Sequence, residues 1–195
     1  MITVDLLRHG ELEGGIKYRG WVDDPLTPAG RACMDAVWGQ LQNDVDLVIT
    51  SPLSRCSGPA VDWAKEAGIP CFIDPRVAEM HYGDWEGLTS EQIMARYPGE
   101  LEKWRKNPAG MSVPGGESAE QLRDRISDFW SDICERHDGK RLLVVMHSGS
   151  MRMLLAHTLA ATIASTRLMQ MPYACWSRVA HDNGSNQLLF HNRDI

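Results

Sequence analysis

Two arginines and two histidines occur beside turns in three separate parts of the sequence. Arg8 and His9 follow one apolar run, Arg55 lies in the segment SPLSRC, and His147 follows another apolar run. Guanidinium groups match phosphate oxygens with paired hydrogen bonds, and an imidazole nitrogen can attack phosphorus. If the fold brings these four side chains together, the chemistry that they favour is phosphoryl transfer.

Small residues beside the two histidines favour the same chemistry. Gly10 would let the backbone approach a ligand closely, and Ser148 and Gly149 open a predicted helix beside His147. The amides and the dipole at a helix N-terminus attract anions. Taken singly, a His-Gly pair after a strand is more often an ordinary turn, and an arginine such as Arg55 is more often a solvated residue. The hypothesis therefore depends on convergence of the separate segments.

The stretch RVAEMHYGDWEG at 76–87 places carboxyl groups among aromatic residues and glycines. An exposed loop has no need of Tyr82 or Trp85. A carboxyl group beside apolar rings can be kept protonated and can act as a general acid. Glu79, Asp84 and Glu86 are the carboxyl groups of this stretch and are all candidates for this role, and Glu86 has the alternative interpretation of a residue that fixes its loop.

Three apolar runs are predicted to be the buried strands that position these residues. They span 3–7, 46–50 and 142–146, and each precedes a polar cluster and a helical pattern. Alternation of strands and helices indicates a parallel sheet covered on both faces. Ligands of such sheets bind beyond the carboxyl ends of the strands, where the arginines and histidines lie.

The remaining pattern completes the predicted architecture. Thr27 and Pro28 begin a helix, Ser118 and Gln121 form a capping box, and the Asn-Gly pair at 183–184 indicates a hairpin. We predict a single domain over residues 1–195 with an α/β fold, a three-layer α/β/α sandwich whose mainly parallel sheet has an antiparallel edge strand. Other helices are predicted over about 58–67, over 90–106 with a break at 98–99, and through 151–159.

The composition argues against several functional classes. The chain has 195 residues and a formal net charge of -6, which opposes general affinity for nucleic acid or anionic lipid. The apolar stretch 151–164 contains Arg152 and His157, so it does not predict a membrane span. The absence of a leader pattern and of any C-x-x-C pair among five cysteines leads us to expect a cytoplasmic protein with reduced thiols.

Five segments in the same order resemble the histidine phosphatase superfamily, also described as phosphoglycerate mutase-like proteins. The resemblance implies that His9 is the nucleophile that forms a phosphohistidine and that Glu79 protonates the leaving oxygen. It also implies that Arg8, Arg55 and His147 hold the phosphoryl oxygens, with a small-molecule phosphomonoester as substrate and with no metal or cofactor. The segments are RHGE at 8–11, SPLSR at 51–55, EMHYGDWEG at 79–87, PGGES at 114–118 and MHSG at 146–149.

Within the family, the opening segment 8–31 is most similar to α-ribazole phosphatases, which act in cobalamin nucleotide-loop assembly. A broad-specificity phosphatase, a mutase-like enzyme and a non-catalytic phosphate-binding module are the alternatives. Only about 26 residues separate Gly87 from Pro114, which leaves little chain for the lid that a mutase needs against water. Leu12, Cys56, Pro59 and Ser148 depart from common family residues.

Two smaller expectations concern the edges of the site. Ser148 either caps the helix that follows it, the favoured interpretation, or gives a hydroxyl donor to the phosphate. Tyr18 and Arg19, which lie between the proposed nucleophile and the first helix, are expected to line the entrance.

Overall fold

The computed structural model describes residues 1–194, and within this range the chain forms one six-stranded sheet in the order β3-β2-β4-β1-β5-β6. The strands are β1 Ile2–Arg8, β2 Leu47–Thr50, β3 Cys71–Ile73, β4 Arg141–Met146, β5 Trp176–Asp182 and β6 Ser185–Phe190. The helices are α1 Pro28–Gly39, α2 Ser54–Ala67, α3 Ser90–Arg96, α4 Glu100–Lys106, α5 Ala119–Arg136 and α6 Ser148–Thr158, with short 3-10 turns at Pro75–Val77, Gly83–Trp85 and Ile163–Leu168.

The register of the parallel strands brings distant parts of the sequence to one edge. Strands β3, β2, β4 and β1 run parallel, and Arg8 of β1 pairs with Met146 of β4. The residues that follow this pair, His9 and His147, therefore leave neighbouring strands at the same level. The ends of β2 and β4 align in the same way, with Thr50 opposite Val145.

Two apolar clusters on opposite faces make the sheet the middle of three layers. Successive residues of a strand point to opposite faces, so Leu142 joins the cluster that includes α5 and α6, whereas Leu143 joins the cluster that includes α1 and α2. The predicted three-layer α/β fold is confirmed. Its antiparallel edge is the hairpin of β5 and β6, with Asn183 and Gly184 at positive φ as a tight hairpin turn requires.

Most of the predicted helix starts agree with the structure. The Thr27 hydroxyl accepts a hydrogen bond from the Gly30 amide, and Ser118 and Gln121 form a reciprocal capping box. The prediction for α2 was wrong by one turn, because Gly58 and Pro59 were interpreted as its beginning and the helix starts at Ser54. Proline near a helix start removes only one early backbone hydrogen bond, so the turn before it still forms.

The short strand β3 was not predicted. Its three residues Cys71–Ile73 pair with β2 at the exposed edge of the sheet, and too few of them are present to show an alternating pattern. Within residues 1–194, none of the helices combines the length and the apolar character that crossing a membrane requires.

The loop after β1 packs directly against the start of α1. A Cβ at Gly10 would overlap the Gly30 carbonyl group, and a Cβ at Gly30 would overlap the backbone of Glu11. The close approach that Gly10 permits in this structure is to helix α1, and close approach of its backbone to a ligand stays a prediction. The contact with α1 sets the path of the chain just beyond His9.

Replacement of Gly30 by alanine should destabilise the protein by about 1–3 kcal/mol or more, because backbone atoms occupy the space of the new methyl group. Gly39→Ala is the matched control in the same helix, since open space surrounds Gly39. Removing a glycine from a helix there should be neutral or stabilising by up to about 1 kcal/mol. Urea unfolding of both variants measures the difference, and equal stability of the two would contradict the proposed close approach.

Candidate active site

A cavity of about 300 Å³ opens at the carboxyl edge of the parallel strands. Its walls include Arg8, His9, Arg55 and Glu79, which come from three separate segments. His147 lies behind this wall and is fully buried. The structure thus brings the five residues of the predicted site to one place, with His147 one layer deeper than the other four.

His9 has a defined neutral form in this cavity. Its Nδ1 lies 2.8 Å from the Gly10 carbonyl oxygen, which can only accept a hydrogen bond, so Nδ1 carries the proton. The Nε2 atom is left with its lone pair. Burial, followed by the nearby charges of Arg8 and Arg55, holds the pKa of His9 well below its ordinary value. A neutral imidazole with a free Nε2 is the form that can attack phosphorus.

Arg8 keeps hydrogen-bond donors that no protein group satisfies. Its Nη1 donates to the Met171 carbonyl oxygen, and its guanidinium carbon lies 4.2 Å from the centre of the Tyr173 ring. The Nε atom is buried and has no hydrogen-bond partner among residues 1–194. Burial lowers the pKa of Arg8, because removal from water disfavours the charged form. A buried, unsatisfied N–H of a cation favours an anionic ligand at this position.

Arg55 lies in the first turn of α2 and is almost entirely buried. Its guanidinium donates to the carbonyl oxygens of Gly20 and Val22, to the carboxylate of Asp23, and through Nε to His147. A guanidinium has five N–H groups, so these bonds leave one Nη2 hydrogen for a ligand in the cavity. The same bonds tie the loop that precedes α1 to the end of the sheet.

Both ring nitrogens of His147 have protein partners. Nδ1 accepts a hydrogen bond from Arg55 at 3.3 Å, and Nε2 lies 2.7 Å from the Ser51 hydroxyl, to which it donates. Burial, then the charge of Arg55, holds the pKa of His147 well below its ordinary value. The rings of His147 and His9 are 5.2 Å apart. A direct hydrogen bond from His147 to a phosphoryl oxygen therefore requires exchange of the bond to Ser51.

The Glu79 carboxylate is held at the N-terminus of α6. One oxygen accepts from the amides of Met80 and Ser150 at 2.9 and 3.2 Å, and the other accepts from the Gly149 amide and the Ser148 hydroxyl at 3.1 and 3.3 Å. The sequence pattern predicted aromatic rings beside this carboxyl group. In the structure, its hydrogen-bond partners include amides at the N-terminus of α6, a position that attracts negative charge.

Ser148 does not cap helix α6, and the favoured sequence interpretation of this residue was wrong. His147 occupies the cap position with extended backbone angles, and Ser148 is the first helical residue. From there its hydroxyl reaches Glu79 and the cavity wall. The single-residue shift follows from the end of β4 at Met146, which leaves one residue between the strand and the helix.

An arginine outside the cavity fixes the segment that carries Glu79. The five N–H groups of Arg125 donate to the carbonyl oxygens of Arg76, Ala78 and Glu79 and to both oxygens of Glu117. This arrangement explains Glu117 of the PGGES motif, whose carboxylate orients Arg125. Sequence reasoning did not single out Arg125, because the three carbonyl oxygens that it binds lie 46 to 49 residues away along the chain.

Glu86 holds the loop that follows β1 in place beside the cavity. Its carboxylate accepts hydrogen bonds from the amides of Trp21, Val22 and Tyr82. The sequence interpretation of Glu86 as a loop-fixing residue agrees with these contacts. Tyr18 and Arg19 of the same loop both line the cavity, as expected.

Lys17, Arg105 and Arg152 also line the cavity, and the sequence analysis missed their place there. Arg152 is the one with a readable signal, since it interrupts the apolar pattern of α6 four residues after Ser148. Arg8, Lys17, Arg105 and Arg152 have no carboxylate within ion-pair distance among residues 1–194. In a protein with net charge -6, such a group of unpaired cations favours an anion in the cavity.

The part of the chain that the structure describes contains no group of three or more His, Cys, Asp or Glu side chains arranged to hold a metal ion. The positive charges that face the cavity come from arginine and lysine side chains. Any stabilisation of a bound phosphate by these residues is therefore electrostatic and through hydrogen bonds.

Comparison with known proteins gives matches over nearly the whole chain. Residues 4–194 match the model of the family described as the histidine phosphatase superfamily (branch 1). A relative named phosphoserine phosphatase 1 from Hydrogenobacter thermophilus is 25% identical over 192 residues, which cover 97% of this chain and 91% of the relative.

Solved structures with similar folds carry different substrate names. A mycobacterial glucosyl-3-phosphoglycerate phosphatase is 26% identical, with a TM-score of 0.86 and coverage of 99% of each chain. The alpha-ribazole phosphatase from Shigella flexneri is 25% identical, with a TM-score of 0.89 and coverage of 98% of this chain and 96% of the other. These values support a shared fold and phosphatase chemistry without favouring one of the named substrates.

The low pKa values of His9 and His147 predict a loss of stability on acidification. Below about pH 6.5 the unfolded chain binds protons at these positions and the folded protein does not, so the unfolding free energy should fall by up to about 1.4 kcal/mol per pH unit for each histidine. Urea unfolding between pH 7.5 and 5.5 measures the slope. NMR titration of the histidine side chains, with the urea-unfolded protein as reference, assigns the slope to individual residues. Titration of His9 near pH 6.5 in the folded protein would contradict the prediction.

Proposed function

The chain belongs to the histidine phosphatase superfamily and is a phosphoric monoester hydrolase, and from this premise we propose that it acts without a metal through a phosphohistidine at His9. The observation that carries the proposal is that a nucleophile and a cation with an unpaired hydrogen-bond donor lie in the same cavity. His9 offers a free Nε2 lone pair, and Arg8 offers a buried Nε–H with no protein partner in residues 1–194, in the same cavity.

In the first step, Nε2 of His9 attacks phosphorus, a P–N bond forms and the ester P–O bond breaks. Glu79 enters this step protonated and gives that proton to the leaving oxygen, which departs as an alcohol. The carboxylate that remains is the form that the amides of Met80, Gly149 and Ser150 bind. In the second step, water attacks the phosphohistidine while Glu79 takes its proton. The P–N bond breaks, inorganic phosphate leaves, and His9 returns to its neutral form.

Arg8, Arg55 and His147 are proposed to hold the phosphoryl oxygens during both steps. Phosphoryl transfer depends mainly on in-line positioning and on charge stabilisation at the equatorial oxygens. Arg8 contributes its unpaired Nε–H, and Arg55 contributes the remaining Nη2 hydrogen. His147 positions Arg55, because its Nδ1 accepts the hydrogen bond from Arg55 Nε, and its ring centre lies 5.2 Å from that of His9. The His147 Nε2–H can donate to the phosphate in place of Ser51.

For the substrate we propose α-ribazole 5'-phosphate, a nucleoside monophosphate of cobalamin nucleotide-loop assembly. Support comes from the opening segment 8–31 and from the similarity to the Shigella protein named alpha-ribazole phosphatase. Relatives named for phosphoserine and glucosyl-3-phosphoglycerate are about equally similar. A broad-specificity phosphatase is therefore the second candidate function.

Two further alternatives make different demands on the site. A mutase must keep water from its phosphoenzyme, and the segment between Gly87 and Pro114 supplies only the short helices α3 and α4 for that purpose. A non-catalytic binding module would have no use for a neutral nucleophile beside a positioned carboxylate. We therefore rank hydrolysis first.

Release of inorganic phosphate in EDTA tests the proposal. The substrates are α-ribazole 5'-phosphate, phosphoserine, 3-phosphoglycerate and p-nitrophenyl phosphate. His9→Ala should lose at least about 1,000-fold in kcat, since removal of a nucleophile leaves only binding and electrostatic effects. His137→Ala, at the end of α5 and outside the cavity, is the control.

Preference for α-ribazole 5'-phosphate would support the specific substrate, and equal turnover of all four esters would support the broad-specificity alternative. Retained turnover by His9→Ala would exclude the proposed nucleophile. Acid-quenched wild-type enzyme should carry phosphate on a histidine, which distinguishes covalent catalysis from direct attack by water.

Gly149→Ala tests the position of Glu79. A Cβ at Gly149 would overlap the Glu79 carboxylate, so the variant should displace the acid and reduce kcat by about 100-fold or more. Gly58→Ala in α2 is the matched control, because open space surrounds Gly58. Normal kcat in Gly149→Ala with an unchanged thermal midpoint would show that the Glu79 contact is unnecessary for turnover.

A further inference from the structure

A second cavity of about 270 Å³ adjoins the first. Five residues line both, so the two cavities form one continuous cleft. The shared residues are Tyr18, Tyr82, Trp104, Arg105 and Arg152. We name the second cavity the side chamber. A phosphate bound beside His9 occupies only the first cavity, which leaves the side chamber for another part of the substrate.

The walls of the side chamber are mainly apolar and aromatic. The rings of Tyr18, Tyr82 and Trp104 meet edge to face, with centres 5.2 to 6.3 Å apart. Apolar side chains from α5, α6 and the 3-10 turn at Ile163–Leu168 complete the wall, among them Leu122, Met153 and Ile163. Such a surface binds an apolar or aromatic group by removing it from water.

Two hydrogen-bond donors in these walls have no partner among residues 1–194. The Trp104 indole N–H is buried and unpaired. The Tyr82 hydroxyl makes no hydrogen bond to a described residue, and burial raises the pKa of Tyr82, so this group stays protonated. An alkyl chain would leave the Tyr82 hydroxyl without a partner, whereas a heterocyclic ring or a sugar carries acceptors for it.

The side chamber carries positive charge and no carboxylate. Arg105 and Arg152 stand between the two cavities, and Arg167 lines the far part. Arg105 is oriented by hydrogen bonds to the Tyr18 and Ser90 hydroxyls. Guanidinium groups stack on aromatic faces. These arginines therefore favour a neutral aromatic ring as the ligand over a cation, which they would repel.

We propose that the side chamber binds the aromatic base of a nucleoside-like leaving group while its phosphate lies beside His9. The proposal rests on the proposed phosphatase function and specifies the substrate class as 5'-phosphorylated nucleosides. Small leaving groups such as serine or glycerate fit within the first cavity and leave the chamber empty. Recognition of the base adds binding energy away from the reacting atoms, which can be used for orientation at phosphorus.

The test compares esters that share the 5-hydroxyl of ribose as the leaving oxygen and differ at C1 of the sugar. Ribose 5-phosphate lacks a base, adenosine 5'-monophosphate has a purine in the β configuration, and α-ribazole 5'-phosphate has a benzimidazole in the α configuration. The kcat/KM of wild-type enzyme should be at least about tenfold higher for an ester with a base, in the range of one ring-stacking contact.

Ile163→Trp fills the chamber without altering a residue of the first cavity. It should reduce the advantage of the ester with a base over ribose 5-phosphate by about fivefold or more. Leu168→Trp is the matched control at the other end of the same turn, since Leu168 is 73% exposed and lines neither cavity. Hydrolysis of ribose 5-phosphate by both variants shows that each remains folded.

Equal effects of Ile163→Trp on all esters, or no advantage for a base in wild-type enzyme, would overturn the proposal. If Arg167→Gln selectively impairs phosphoserine and 3-phosphoglycerate, the chamber binds a second anion and the aromatic assignment is wrong. If nucleoside esters are not hydrolysed at all, the proposed substrate is wrong, and the base site needs a test of its own. That test compares inhibition by unphosphorylated adenosine or α-ribazole with inhibition by ribose. Equal inhibition by the nucleosides and by ribose would overturn the proposed base site.

Discussion

The hydrogen bonds between the Glu79 carboxylate and the N-terminus of helix α6 determine the geometry of the whole site. Helix α6 follows β4, which pairs with β1, and His147 and His9 are the residues that come directly after these strands. The carboxylate therefore joins the segment 76–87 to helix α6 and, through α6, to the two strands that precede the histidines. Gly149 is needed for this contact because any side chain would displace the carboxylate. Arg125 holds the same segment from the opposite side, through three carbonyl oxygens.

Charge is the second constraint on the site. Arg55 and the two histidines are buried beside a partly buried Arg8, and burial of cations without counterions is costly. The protein reduces this cost in two ways. Both histidines are neutral, and Arg55 is surrounded by carbonyl oxygens and Asp23. Arg8 keeps an unsatisfied donor, and a dianionic phosphate would satisfy it. The site is thus organised for an anion before one binds.

The proposed phosphate site and the proposed base site come from different parts of the fold. The first lies at the strand ends around His9 and, in the proposed reaction, acts on a phosphoryl group common to every monoester. The side chamber is lined by residues of α4, α5, α6 and the turn at Ile163–Leu168, together with Tyr18 and Tyr82. Under the proposal, the leaving alcohol is therefore recognised by elements other than the strands that precede the histidines.

The sequence by itself determined most of the strands and the capped helices, because apolar periodicity and capping are local properties. It placed Arg8, His9, Arg55 and His147 at predicted strand ends, and the family resemblance completed the candidate site with Glu79. Tertiary structure alone decided that Gly10 makes room for α1, that Ser148 reaches Glu79, and that Arg125 supports the acid. It also decided that Arg105 and Arg152 face the cleft beside Trp104. These facts depend on contacts between residues far apart in the chain, and local pattern carries no information about such contacts.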